Sequence, residues 1–173
     1  TALVQNQNFD AYKESFINSL WTIYPNWASS IGFHKNDSLL TIPDDTQRKN
    51  EIAFAESQLD SLGLFNIDSL NNQNKTDFYL IENQLKSSIW SIQKFKSYQW
   101  NPAQYNVSEG FAEIINNNYA PLAQRLATVK ERLKFVPAYY EAAKKNIQNP
   151  TAEHTALAID QNTGGLSVFE VDL

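Results

Sequence analysis

Apolar residues recur at spacings of three and four along most of this chain, the period that places side chains on one face of a helix. Phe9, Tyr12, Phe16 and Leu20 open the pattern. Pro25 ends it, because the residue before a proline is pushed out of the helical region and Tyr24 must be extended. Pro25 then opens a short turn carrying Trp27, Ala28 and Ile31, closed by Gly32. Residues 33–43, FHKNDSLLTIP, hold no period and read as a loop. A second helix follows, capped by Asp44 or Asp45, with Ile52, Ala55, Leu59 and Leu62 inward and Gly63 at its end. Beyond a polar connector at 66–74, Phe78, Ile81, Leu85, Ile89 and Ile92 mark the longest amphipathic stretch.

The period lapses around Trp100, Asn101 and Pro102 and resumes near Ser108 with Phe111, Ile114 and Ile115, until Asn116 to Asn118 interrupt it. Pro121 suits the first turn of a helix with Leu122, Leu126, Val129 and Leu133 inward, broken near Phe135. Ala138 to Ile147 form the next helix, and Pro150 leads a last one over Thr151 to Asn162, with Ala156, Leu157 and Ile159 inward and Gly164-Gly165 closing it. Residues 166–172, LSVFEVD, alternate like a strand and equally suit a helix. No fixed-period repeat is visible. The expectation is an all-α fold, an irregular bundle or array of about seven helices, either one domain over residues 1–173 or an incomplete lobe of a larger helical protein.

Composition narrows the chemistry. With 173 residues, 42% hydrophobic, 13% aromatic and 19% charged, the chain has the material for a folded core. It holds no Cys, which removes disulfides, thiolate metal sites and Cys nucleophiles. A net charge of -5 gives no counterion-releasing surface for nucleic acid or acidic membranes. No apolar run reaches the roughly 20 residues of a transmembrane helix. With no Met at its start or elsewhere, the sequence reads as a mature or excised piece.

Candidate catalytic groups are few. His34 and His154 lack a second His at helical ligand spacing, and Glu153 beside His154 points about 100° away from it, so neither these nor Asp160 converge on an ion. His34, beside Lys35 and Asp37, reads as a solvated connector or a functional turn, the connector being the simpler account. Glu109 and Glu113 share a helix face, as solvated carboxylates commonly do. No nucleophile elbow and no phosphate-cradling loop is present. Asn36, Asn74 and Asn106 begin Asn-x-Ser/Thr triplets that an Asn-rich chain makes by chance. Among the aromatics, Trp21 and Trp90 fit core spacings, which leaves Tyr98, Trp100 and Tyr105 as a surface-contact patch for a peptide or sugar.

Three stretches together resemble a known family, the bacterial proteins grouped as domain of unknown function 885. They are YPNWASSIGFHKNDSLL (24–40), KTDFYLIENQL (75–85) and YAPLAQRLATVKERLKFVPAYYEAAKKNIQNPTAEHTALAIDQNTGG (119–165). The resemblance implies the N-terminal part of a longer helical protein similar to zinc metallopeptidases. In such proteins a downstream His-Glu-x-x-x-x-His-like motif supplies two His to the metal and a Glu to activate water. That motif is absent from this sequence, so the resemblance carries over no catalytic, cofactor-binding or metal residue, and Gly32, His34 and Asp37 match an early structural signature. It further implies an extracytoplasmic or periplasmic location, with a lipid anchor in the parent, and as partners the remainder of that chain and a peptide substrate. Zinc would belong to the parent. The competing expectation is an independent helical binding module of an exported bacterial protein.

Overall fold

The computed structural model describes residues 2–171, which form helices and turns with no strand among them. In chain order the helices are α1 (Ala2–Ile23), α2 (Pro25–Ser30), α3 (Asp45–Leu62), α4 (Asn72–Trp90), α5 (Ser97–Trp100), α6 (Ser108–Asn116), α7 (Leu122–Leu133), α8 (Val136–Asn146) and α9 (Ala152–Glu170). The fold is thus the expected all-α array. Two compact units divide it: one takes the chain up to Ile23 and Asp45–Lys96, the other Tyr24–Asp44 and the chain from Ser97 onward.

The first unit is closed by aromatic rings. The stripe read from the sequence of α1 is its buried face, with Phe9, Phe16, Leu20 and Trp21 inside. Phe9 meets Phe65 edge-on at 5.1 Å between centroids, and Phe16 stacks on Phe54 at 6.2 Å. Leu62 and Leu70 fill the space around Phe9. Helix α4 starts earlier than the apolar period suggests, because the polar stretch before Phe78 is a cap: the Asn71 side chain accepts the Asn74 backbone N–H at 2.9 Å. At its other end the sequence expectation for Trp90 fails. The buried stripe passes through Leu85 toward Ile89, so the next residue lies about 100° off it. Trp90 is exposed and stacks on Phe95 at 5.3 Å. A π-helical turn, Ser91–Phe95, ends the run, and Lys96 takes the left-handed conformation at φ 50°.

In the second unit α6 is central, packing against α2, α7 and α9. Its Phe111 and Ile114 are fully buried among Leu40, Tyr105, Val107, Val129, Tyr139 and Ala143. Expectations for α9 and for α7 are corrected here. Gly164-Gly165 does not end α9, which runs on to Glu170. A Cβ on Gly165 would lie 2.5 Å from Ser108 Oγ, so this glycine lets α9 approach α6 closely. Residues 166–171 are accordingly helix and turn, while residue 172 of the predicted tail lies outside the described residues. Of α9's apolar positions Leu157 and Ile159 are exposed, and Ala158 is the buried one.

The second correction concerns α7. Leu122, Leu126 and Leu133 face outward, and the buried positions are Arg125, Val129 and Arg132. These lie four and three apart, so a helix face exists as expected, but two of its three members are guanidinium side chains. Polarity misplaced the face, because apolar residues on α7 outnumber the positions its neighbours cover.

Candidate functional site

The burial of those arginines follows from what they bond. Arg125 reaches back to the end of α6, where Nη1 donates to the carbonyls of Ile114, at 3.1 Å, and Ile115, Nε donates to Ala120 O at 2.9 Å, and Nη2 donates to Asn118 Oδ1 at 3.1 Å. Helix-terminal carbonyls have no intrahelical donor and carry partial negative charge, so a cation satisfies both needs. One side chain thereby orders the 117–120 segment and, with it, Tyr119.

Arg132 is 0% exposed. Its Nη1 donates to the Asp37 carbonyl at 3.1 Å, its Nη2 donates to Asn26 Oδ1, and its guanidinium lies 5.5 Å from the centre of the Phe111 ring. Gly110 makes room for it, since a Cβ there would sit 2.7 Å from Nη2. Among the described residues Arg132 Nε finds no hydrogen-bond partner. Burial lowers the pKa of Arg132, opposed by the charge of Asp37 and by Tyr119.

The loop read as a solvated connector is the other half of this arrangement. Gly32, at φ +88°, takes the left-handed position after α2. Its N–H bonds Ser29 O at 3.0 Å, and the next N–H, of Phe33, bonds Ala28 O at 2.9 Å, the pair of bonds that satisfies the last carbonyls of a helix and turns the chain back. The chain then makes a 3-10 turn, His34–Asn36, packed on α2.

Asp37 follows, 2% exposed. Its Oδ1 accepts the Ser29 hydroxyl at 2.5 Å, and its Oδ2 accepts both the Tyr119 hydroxyl at 2.6 Å and His34 Nδ1 at 2.9 Å. The His34 ring lies flat on the Tyr119 ring, with centroids 3.4 Å apart and planes 5° apart. Burial first, then the bond to Asp37 and its charge, raise the pKa of Tyr119. Residues from α2, the 34–37 turn and the 117–120 segment therefore converge on one buried carboxylate, and Arg132 of α7 holds the backbone carbonyl of the same residue.

The predicted contact patch divides. Tyr105 is 4% exposed, with its hydroxyl donating to Tyr98 O at 2.8 Å and accepting from Asn146 Nδ2 at 3.0 Å, so it is a core residue and leaves the patch. The 3-10 turn Pro102–Gln104, packed against α9, carries it inward. Tyr98 and Trp100 are half-buried on α5, and Trp100 meets the edge of the His154 ring at 5.3 Å. His154 itself serves a helix start, its Nδ1 lying 2.6 Å from Oγ1 of the N-cap Thr151. Among the described residues no three His, Asp or Glu side chains are grouped as a metal site. A concavity of about 510 Å³ lies between α6, α8 and α9, lined by Val107, Val136, Leu166 and Phe169 with Asn106 and Asn162 at its polar edge.

Comparison with known proteins places this geometry in a family. The family model described as "Bacterial protein of unknown function (DUF885)" matches residues 25–173, a span that includes every member of the Asp37 cluster. The chain is similar to a solved structure described as "a putative lipoprotein of unknown function from Shewanella oneidensis", with 47% sequence identity and a TM-score of 0.93 over 95% of this chain. The match covers 30% of the Shewanella chain. No curated protein sequence matches.

Proposed function

The chain belongs to the bacterial DUF885 family, and from that membership we propose that it acts as the non-catalytic helical lobe of a larger, extracytoplasmic, lipid-anchored protein of zinc-dependent peptidase-like type, framing one wall of its substrate cleft. The observation that carries the reading is the coverage: nearly all of this chain corresponds to 30% of a much longer relative at 47% identity. Surface composition supports it. Leu157, Ile159 and Leu166 of α9 and Leu122, Leu126 and Leu133 of α7 are exposed, the kind of apolar surface that in a lobe is covered by the rest of the protein. The resemblance to metallopeptidase-like proteins supplies the reaction class.

The test compares full-length parent, the parent without residues 1–173 and the isolated lobe, for zinc content by elemental analysis and for hydrolysis of alanine peptides. Zinc and hydrolysis in the full-length protein, with neither in the isolated lobe, are the expected results. Stoichiometric zinc with hydrolysis by the lobe alone would overturn the non-catalytic assignment. A parent whose coding sequence continues without a His-Glu metal motif would overturn the peptidase-like one and leave a helical binding module.

A further inference from the structure

We infer that His34 is the residue with which this lobe holds its substrate, accepting a hydrogen bond at Nε2 from a main-chain N–H of a bound peptide; the inference rests on the peptidase-like reading above. The argument begins at Asp37. A buried carboxylate oxygen that already accepts from Tyr119 needs a donor from its remaining neighbour, which assigns the ring hydrogen of His34 to Nδ1. In the neutral ring Nε2 then carries the lone pair. Among the described residues that atom has no hydrogen-bond partner, and it is not sealed in the interior, where Arg132 Nε is the unpaired side-chain atom. The His34 side chain keeps 20% of its surface accessible.

The ring is also immobilised. Nδ1 is held by Asp37, one face by Tyr119, and the backbone by the 3-10 turn behind Gly32. Asp37 in turn is held by Ser29 and Tyr119, and its carbonyl by Arg132. Carboxylate-fixed imidazoles with one nitrogen left open are how proteins orient a histidine toward a ligand. Satisfying Asp37 does not by itself require an imidazole, since an amide would supply the same donor. In this tautomer Nε2 accepts, so the ligand group is an N–H or O–H rather than a carbonyl or carboxylate. In a peptide cleft that group is the backbone amide. The 24–40 stretch that carries His34 also exposes Trp27, Ile31 and Leu39, apolar surface in the same part of the chain.

Two substitutions separate the two ring nitrogens in the full-length protein. His34→Asn places an amide where Nδ1 was, keeping the bond to Asp37 and removing the acceptor; His34→Gln restores an acceptor near the Nε2 position. With alanine tripeptide as the probe, H34N should raise KM about five- to tenfold with kcat within about twofold, and H34Q should recover most of the loss. As a measurement independent of mutant folding, depsipeptide analogues replace each non-scissile N–H by oxygen. One position should raise KM by a similar factor in the natural protein and by nothing further in H34N. Hydrolysis with KM unchanged in H34N, or unchanged by every N–H replacement, overturns the role of His34 while leaving the cleft-wall reading intact. No zinc-dependent hydrolysis by the natural full-length protein overturns that reading and this inference with it.

Discussion

Around Phe9 and around Arg132 the protein covers helix faces by opposite means. In the first unit Phe9, Tyr12, Phe16, Phe54, Phe65 and Phe78 pack ring against ring, so stability comes from apolar area and is spread over many contacts of similar kind. In the second, a cation and a carboxylate are both withdrawn from water, and each is tolerated because specific partners reach it from distant parts of the chain, Arg132 to Asp37 and Tyr119 to Asp37. An apolar face forgives a change of shape, whereas a buried polar cluster requires every member. The unit with the costlier interior is also the one that presents a fixed histidine.

The sharpest way to break this comparison is at its two centres. Arg132→Met should destabilise by about 3–5 kcal/mol, because it strands the Asp37 carbonyl and removes the cation beside a buried carboxylate. Arg132→Lys should recover little, since a single ammonium cannot serve the Asp37 carbonyl and Asn26 in the same forked geometry. Urea unfolding followed with amide hydrogen exchange measures both, with loss of protection expected first in α6, α7 and the 24–44 segment. A loss below about 1 kcal/mol for R132M would mean that the buried cluster contributes nothing net.

At the other centre, Phe9→Ala should cost about 3–4 kcal/mol through lost burial and a cavity beside Phe65 and Leu62. Phe9→Leu should cost less than half of that, because neighbouring rings can settle around a smaller apolar group. The contrast is therefore in the conservative variants: Leu rescues much of Phe9, Lys rescues little of Arg132. Equal rescue at both centres would erase the distinction between the units.

The same distinction explains which parts were legible in the sequence. Phe9, Phe16 and Leu20 recur at helical spacing, and the structure buries them as their period demands. Pro25 and Gly32 mark the ends of α1 and α2 because their backbone preferences act locally. Arg125 and Arg132 were illegible for a physical reason: a cation is buried only if acceptors wait for it, and those acceptors lie up to 106 residues away in the chain. Leucines at 122, 126 and 133 then captured the face by polarity alone. His34 and Asp37 looked like loop solvation, since nothing within the 33–43 stretch announces the Tyr119 hydroxyl that makes Asp37 a buried acceptor. Gly165 looked like a stop because close helix approach and helix termination both favour glycine, and only the neighbour, Ser108, tells them apart. The one local hint of a site was a His and an Asp three apart after a glycine.

The smallest expected effect tests the units by alkali. Burial raises the pKa of Tyr12 in the first unit to about 12, and raises those of Tyr119, Tyr139 and Tyr140 in the second. A phenol that keeps its proton when folded, at a pH where the unfolded chain has released it, makes unfolding release protons. Stability from these groups is therefore complete below the ordinary tyrosine value near pH 10 and declines as pH rises through the raised, folded values. With three such phenols against one, exchange protection in the second unit should fall first between about pH 10 and pH 12. Tyr119→Phe removes one of them together with its bond to Asp37. It should cost about 1 kcal/mol at neutral pH and flatten the alkaline slope of the urea midpoint, while absorbance at 295 nm loses a late-titrating phenol. A slope unchanged in Y119F would show that Tyr119 titrates alike in the folded and unfolded chain. The aromatic lid on His34 would then not be the buried, carboxylate-bonded phenol on which the contrast between the units depends.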